Sequence, residues 1–137
     1  MSTLDQRVST QPTKALEAFE NPRPGAMYLV ECATREFTCL CPLTGQPDFA
    51  RISLRYVPDL KCVELKSFKL YLWSYREEGA FHEDVVNRML ADLVEILDPI
   101  WIEVRGDFET RGGIATAVSA RHGAKPDALE DVELLDL

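Results

Sequence analysis

The sequence predicts an α+β domain in which an antiparallel four-stranded sheet carries two helices on one face, in the order β-β-α-α-β-β. Apolar and polar residues alternate from Phe49 to Val57 and again from Ile100 to Arg105, which is typical of strands. Between them, apolar residues recur every four positions from Phe81 to Leu97, as in a helix with one buried face. Strands at both ends and helices in the middle favour an antiparallel sheet covered on one side.

The first half of the chain supplies two strands and a turn-rich loop. A strand is predicted from about Met27 to Ala33, after the segment NPRPGA. The loop CPLTGQPD follows, and its two prolines and one glycine argue against regular structure, so Cys41 and Asp48 are expected on a shaped loop. The second strand then runs from Phe49 to Val57 and is expected to bury Ala50, Ile52, Leu54 and Tyr56.

The second half supplies the helices and the last two strands. A short extended piece is expected from Cys62 to Glu64. Gly79 separates the two helices, and Asp98 ends the second one because the residue before a proline avoids the helical region. The predicted helices and strands are Lys66–Tyr75, Phe81–Leu97, Ile100–Arg105 and Ile114–Arg121.

The chain length fits one domain, since 137 residues leave little room for two. We expect an N-terminal arm over residues 1–25, a single domain over residues 26–123 and an acidic C-terminal tail over residues 124–137. Exposed strands at the two edges of the sheet favour a homo-oligomer in which neighbouring copies cover them.

The composition limits the partners. A formal net charge of −8 disfavours direct binding to a nucleic-acid polymer, although a small and nearly neutral base stays an allowed ligand. No apolar run approaches the ~20 residues that cross a bilayer, and the first residues lack the apolar stretch of a secretory signal. We therefore expect no membrane partner, a cytoplasmic location and reduced thiols at all four cysteines.

Cys41 is the candidate nucleophile. A free cysteine is more often a core side chain than a nucleophile, but the loop around Cys41 and the nearby Asp48 favour a chemical role. A carboxylate raises the pKa of a neighbouring thiol, so a cation or aimed backbone N–H groups are needed to favour the thiolate. The candidate cations are Arg35, Lys66 and His82.

No metal site is predicted. Cys39 and Cys41 are separated by one residue, whereas structural zinc sites usually place two or more residues between paired cysteines. The only histidines are His82 and His122, and the pair His82-Glu83 lacks a second histidine at the spacing of a zinc protease.

Three patterns have both an ordinary and a functional interpretation. In the ordinary interpretation, Glu83 at a helix start compensates the helix dipole. In the functional one, its carboxylate accepts two parallel N–H bonds from a guanine-like edge, and His82 relays a proton. Lys66 and Lys69 lie on one helix face. They are either a solvated basic stripe or residues that contact the phosphates of a dinucleotide. The glycines of Arg111–Gly113 allow backbone N–H groups to approach the same anion.

Taken together, these residues resemble the QueF family of single-domain 7-cyano-7-deazaguanine reductases. The similar motifs are CPLTGQPDF (Cys41–Phe49), ELKSFKLYLWSYR (Glu64–Arg76), FHED (Phe81–Asp84) and RGGI (Arg111–Ile114). The resemblance covers roughly Glu36 to Arg121. It implies the tunnelling fold for residues 26–123, shared with GTP cyclohydrolase I, and an assembly into rings, typically two stacked pentamers with sites between subunits.

The resemblance also implies an activity: NADPH-dependent reduction of a nitrile on a deazapurine to a primary amine, on the route to queuosine in transfer RNA. Cys41 would add to the nitrile carbon as a thioimide, Asp48 would protonate the nitrogen, and His82 would complete the catalytic group. The residues implied to bind the deazapurine are Val63, Glu64, Leu65, His82 and Glu83, and those implied to bind NADPH are Lys66, Lys69, Arg111 and Gly112. Leu65 departs from the serine usual in the family.

Two alternatives stay open. A zinc-dependent pterin or GTP cyclohydrolase-like enzyme shares the fold, although two histidines are a small supply of ligands for it. A non-catalytic binding module that forms a ring would tolerate loss of the Cys41 thiol.

Overall fold

A computed structural model of the chain describes residues 10–129. Its strands are β1 (Ala18–Glu20), β2 (Val30–Leu40), β3 (Pro47–Val57), β4 (Lys61–Val63), β5 (Trp101–Arg111) and β6 (Ile114–Gly123). Its helices are α1 (Leu65–Trp73) and α2 (His82–Leu97), and a 3-10 turn spans Asp127–Leu129. Strands β2, β3, β5 and β6 form an antiparallel sheet in that order, and β1 pairs with β4. The predicted α+β class, the four main strands and the two helices between them are confirmed.

The central sheet extends further than its sequence pattern indicates. β2 continues to Leu40, well beyond its predicted end, and β3 begins at Pro47. The expectation that Asp48 lies on the loop is therefore wrong, because Asp48 pairs with Cys39 inside the β2–β3 ladder. Proline is tolerated as the first residue of a strand, so the loop ends two residues before its predicted end at Asp48. The loop itself shortens to residues 41–46.

The small sheet attaches the N-terminal segment to the domain. Phe19 in β1 lies opposite Cys62 in β4. Just after β1, the buried Asn21 side chain donates a hydrogen bond to the carbonyl of Asp59 at 2.8 Å. A three-residue strand shows no alternation, so the sequence did not predict β1. Residues 1–9 of the expected arm lie outside the described residues.

Both helices have chemically identifiable ends. The Glu64 carboxylate caps α1 by accepting a hydrogen bond from the Ser67 N–H at 2.8 Å, which satisfies a donor that the helix itself leaves unpaired. α2 ends at Asp98, which adopts a left-handed φ of 43° before Pro99, so the predicted stop is confirmed. No helix in the described part of the chain is both long and apolar enough to span a membrane.

The core lies between the helices and one face of the central sheet. The buried side chains of α2 recur at helical spacing and are Val85, Val86, Met89, Leu93 and Leu97. The predicted inward face of β3 is confirmed, since Ala50, Ile52, Leu54 and Tyr56 are all buried. Gly106 in β5 allows a close approach of α2, because a Cβ at that position would lie 3.0 Å from Val86 Cγ2 and 2.8 Å from the Phe108 ring.

The opposite face of the sheet carries a row of alternating charges, one on each strand. Its members lie opposite one another in register and are Glu31, Arg55, Glu103 and Arg121. Arg55 Nη2 lies 2.6 Å from Glu103 Oε1, and its Nε lies 3.9 Å from Glu31 Oε2. Arg121 donates to the second Glu103 oxygen. Burial acts to raise the pKa of Glu103, but hydrogen bonds from the two arginines hold it below its ordinary value.

Strand β5 is buried on both faces, which its alternating pattern did not indicate. Glu103 is buried within the charge row, and Trp101 is 2% exposed. The Arg55 guanidinium and the Lys125 ammonium each lie 5.3 Å from the centre of the indole, so two cations cover this ring. Lys125 belongs to the expected acidic tail, of which residues 130–137 lie outside the described part.

We expect Gly123→Ala to destabilise the fold more than Gly25→Ala. Both glycines have positive φ, +86° and +88°, where any other residue costs roughly 1–2 kcal/mol. A Cβ at Gly123 would in addition overlap the carbonyl oxygen of Ile100, whereas a Cβ at Gly25 would meet no atom within 4 Å. Urea denaturation of the two variants measures the difference. Equal losses of stability would contradict the proposed clash.

Candidate active site

The β2–β3 loop presents Cys41 to the surface. The Cys41 N–H donates to the carbonyl of Gln46, and the Gly45 N–H donates to the carbonyl of Cys41, both at 2.8 Å. These two bonds close the loop upon itself and fix its shape. The Cys41 side chain is half-buried, while that of Cys39, on the preceding strand, is fully buried. The candidate nucleophile is therefore accessible rather than part of the core.

The loop also polarises the Cys41 sulphur. The Thr44 hydroxyl, the Thr44 N–H and the Leu43 N–H donate to it and lower the pKa of the Cys41 thiol, although burial and the Asp48 carboxylate act in the opposite direction. Hydrogen-bond donors of the loop, among them two backbone N–H groups, therefore favour the thiolate of Cys41 in place of a cation. Burial, aided by Asp48, raises the pKa of Cys39 to about 11, so that this sulphur stays protonated at neutral pH.

Asp48 joins the loop to the other elements. Its carbonyl accepts a hydrogen bond from the Thr38 hydroxyl at 2.8 Å, which fixes the backbone at the start of β3. Its side chain is buried, with Oδ2 at 3.4 Å from His82 Nε2 and Oδ1 at 3.6 Å from Arg111 Nε. Arg111 further donates to the Pro47 carbonyl. A carboxylate, a histidine and an arginine therefore meet beside the Cys41 loop.

His82 is held by the ring of Phe108. The two rings stack at 3.8 Å with an interplanar angle of 9°, and the close approach of α2 at Gly106 makes this contact possible. Phe108 was not predicted as part of the site, because the predicted strand ended at Arg105. A signal was present: Val104, Gly106 and Phe108 continue the inward alternation of β5, interrupted only by the glycine.

The other predicted ligand residues form two sets, one around the start of α1 and one adjacent to His82 and Arg111. Val63 is buried at the end of β4, Glu64 caps α1, and Leu65 is 60% exposed on the first turn of α1. Glu83 is exposed next to His82, and Gly112 lies in the β5–β6 turn. Among the hydrogen bonds and ion pairs of residues 10–129, none joins the Val63–Leu65 stretch to Cys41, Asp48 or His82.

A groove of about 940 Å³ runs between β2 and α1. Leu65, Lys69, Trp73 and Arg76 line its helical side, and residues 31–36 of β2 line the other. Leu65 also borders a second cavity, of about 300 Å³, together with Val63. The predicted positions Leu65 and Lys69 therefore face open volume, while Lys66 is exposed on the same helix.

Metal-ligating side chains do not converge in the described structure. Between residues 10 and 129, no group of three or more histidine, cysteine, aspartate or glutamate side chains stands close enough to hold a metal ion.

We expect Thr44→Val to raise the pKa of the Cys41 thiol, because the variant loses the hydroxyl that contributes most to lowering it. The fraction of thiolate at neutral pH then falls, by about tenfold for each unit of pKa. The rate of alkylation by iodoacetamide as a function of pH measures this, with Cys41 modification followed by mass spectrometry. Thr13→Val is the matched control, since the Thr13 hydroxyl accepts a hydrogen bond from the nearby Ala15 N–H. Identical pH profiles for wild type and Thr44→Val would contradict the role of the hydroxyl.

Comparison with known proteins connects this geometry to a family. A family model described as QueF-like protein matches residues 47–127. The NADPH-dependent 7-cyano-7-deazaguanine reductase of Anaeromyxobacter dehalogenans (strain 2CP-C) is 62% identical over 117 residues, which cover 85% of this chain and 96% of the relative. The reductase of the same name from Nitrosomonas europaea is 58% identical over 118 residues, covering 86% and 85% of the two chains.

A solved structure has the same fold. The crystal structure of the archaeosine synthase QueF-Like in the apo form superposes with a TM-score of 0.66 at 26% identity, covering 72% of this chain and 96% of that one. The resemblance inferred from four short motifs and the fold that it implied are both confirmed. Since the family model matches more than half of the chain and close relatives match nearly all of the domain, the chain belongs to the QueF family of 7-cyano-7-deazaguanine reductases.

Proposed function

We propose that this protein reduces the nitrile of 7-cyano-7-deazaguanine to the primary amine of 7-aminomethyl-7-deazaguanine, with NADPH as the reductant. The observation that carries the proposal is an accessible thiol with a lowered pKa, at Cys41, beside the contact between Asp48 and His82. The relatives named as NADPH-dependent 7-cyano-7-deazaguanine reductases support the same substrate and reductant. The amine product would serve the synthesis of queuosine for transfer RNA.

The first step is covalent addition by Cys41. The thiolate sulphur bonds to the nitrile carbon, one π bond of the nitrile breaks, and the nitrogen takes up a proton to give a thioimide. The Leu43 and Thr44 donors favour the thiolate, and the shape of the closed loop holds the sulphur at the surface, where a ligand reaches it. A neutral thiol in the core would be neither ionised nor within reach of a ligand.

Asp48 is the proposed proton donor to the nitrile nitrogen. It lies next to the Cys41 loop, and its contact with His82 Nε2 at 3.4 Å gives the carboxyl a partner with which to exchange a proton. The stack on Phe108 fixes the plane of the imidazole, so this nitrogen keeps facing Asp48. Arg111 holds the same carboxylate from its other oxygen and ties it to the Pro47 backbone.

The reductant fits the groove beside α1. Its volume of about 940 Å³ is sufficient for a large ligand, and Lys69 and Arg76 offer cations to phosphates beside the apolar surface of Trp73. We place Lys66, Arg111 and Gly112 in the same binding role. When bound, NADPH would supply the two hydrides that take the nitrile carbon to the amine.

The deazapurine base would be recognised by the Glu83 carboxylate and by the stretch from Val63 to Leu65. Glu83 is exposed beside His82 at the start of α2, and a carboxylate matches the paired N–H groups of a guanine-like edge. The Val63–Leu65 stretch would provide further contacts, with backbone atoms in place of a hydroxyl at Leu65. Because no hydrogen bond or ion pair joins this stretch to Cys41 within the described chain, we propose that the complete site combines residues of two copies.

We expect Cys41→Ala to abolish nitrile reduction while the fold is kept. Wild-type protein mixed with 7-cyano-7-deazaguanine, without NADPH, should gain the mass of the substrate at Cys41, and Cys41→Ala should not. Cys39→Ala is the matched control and should still form the adduct, because the buried Cys39 thiol takes no part in the addition. Turnover in wild type without any adduct, or full activity of Cys41→Ala, would exclude covalent catalysis by Cys41. A wild-type protein that does not oxidise NADPH in the presence of 7-cyano-7-deazaguanine would exclude the proposed function.

The oligomer that we propose is a ring of identical subunits. β2 and β6 form the two edges of the central sheet and run antiparallel to each other, so β6 of one copy can extend β2 of the next in a repeating head-to-tail contact. The charge row supports this pairing, since it begins with Glu31 on one edge and ends with Arg121 on the other.

We expect Arg121→Gln to weaken this assembly several-fold, with a larger effect at low salt, because it removes a cation from the β6 edge. Light scattering at decreasing protein concentrations measures the dissociation. Arg105→Gln is the control, since Arg105 lies on the inner strand β5 and pairs with Asp107, on the same strand, at 2.9 Å. An active wild-type monomer would refute the ring.

A further inference from the structure

A cluster of charges lies behind the Cys41 loop and takes no part in the proposed chemistry. The two oxygens of Glu78 bind different elements: Oε2 lies 2.7 Å from Lys14 Nζ in the N-terminal segment, and Oε1 lies 3.1 Å from Arg88 Nη2 on α2. Burial acts to raise the pKa of Glu78, but hydrogen bonds from Lys14 and Arg88 lower it overall. The Glu78 carboxylate therefore links the N-terminal segment to α2 through two ion pairs.

The two cations are themselves fixed by Tyr75. Lys14 Nζ lies 4.0 Å from the centre of the buried Tyr75 ring, and the Arg88 guanidinium lies 5.2 Å from it. Lys14 also donates to the Ser74 hydroxyl at 2.7 Å, and Arg88 lies 3.9 Å from Asp84. With the aromatic ring and these neighbours in place, the cations hold the Glu78 carboxylate in one position.

The backbone around Glu78 holds the residues on both sides of Cys41. The Leu40 N–H donates to the Glu78 carbonyl at 2.9 Å, and the Ala80 N–H donates to the Leu40 carbonyl at 3.0 Å. Gly79 lies against Pro42, since a Cβ at Gly79 would stand 3.5 Å from the Pro42 Cα. The segment from Glu78 to Ala80 thus supports the loop at the residue before Cys41 and at the residue after it.

We propose that Glu78 is a positioning residue for Cys41. With its side chain tied to Lys14 and Arg88, Glu78 fixes Leu40 and Pro42, and so keeps the Leu43 and Thr44 donors aimed at the sulphur. The hydrogen bonds that close the loop act within residues 41–46, and the β2–β3 ladder holds its two ends at Leu40 and Pro47. The segment from Glu78 to Ala80 adds a support from outside, where Gly79 meets Pro42. The importance of Glu78 for turnover rests on the proposed function, whereas its effect on the thiol does not.

We expect Glu78→Gln to make the Cys41 thiol less acidic and slower to alkylate at neutral pH. The variant keeps the side-chain length and loses the charge that both cations bind. Glu78→Asp, which keeps the charge, should recover part of the reactivity. The measurement is the pH dependence of iodoacetamide modification at Cys41, followed by peptide mass spectrometry. Arg105→Gln, which breaks an ion pair on the opposite face of the sheet, should leave the profile unchanged.

Nitrile reduction should lose kcat several-fold in Glu78→Gln, with little change in the KM for NADPH.

A second variant tests the same role in case Glu78→Gln does not fold. Lys14→Gln removes one exposed partner of Glu78 and should shift the alkylation profile in the same direction by a smaller amount. Wild-type profiles in both Glu78→Gln and Lys14→Gln would overturn the inference, whatever the activity. A shifted profile in a protein whose wild type does not reduce the nitrile would overturn the proposed function and leave the positioning role intact.

Discussion

The convergence of the Thr44 hydroxyl and the Leu43 and Thr44 backbone N–H groups on the Cys41 sulphur is the interaction on which the site depends. It requires a loop short enough to be closed by its own hydrogen bonds, with the carbonyls of Cys41 and Gln46 as acceptors. It also requires β3 to begin immediately after that loop, because Asp48, in the second residue pair of the β2–β3 ladder, then lies beside the thiol. The sheet register, set by Cys39 opposite Asp48, therefore determines the geometry of the chemistry.

Most of the fold was predictable from periodicity. The spacing of apolar residues in α2 and the alternation in β3 each reflect one buried face, and both predictions are confirmed. Other features arise from contacts between distant residues and leave no local pattern. β1 exists because it pairs with β4, and Trp101 is buried because Arg55 and Lys125 cover it.

The candidate site was predictable in its residue types and not in its arrangement. Turn chemistry and motif order indicated Cys41, Asp48 and His82, which the structure brings together. The stack of His82 on Phe108 depends on how closely α2 approaches β5, and no sequence spacing encodes that distance. The role of Arg111 beside Asp48 likewise follows from the length of β5, which the sequence analysis ended too early.

The absence of a cation from the groups that lower the Cys41 pKa has a physical consequence. Neutral dipoles hold the negative sulphur, and mobile ions in solution screen a dipole at hydrogen-bond distance far less than they screen a separated charge. A change in ionic strength would then act on the reactivity of the sulphur mainly through the Asp48 carboxylate, a charge that opposes these dipoles.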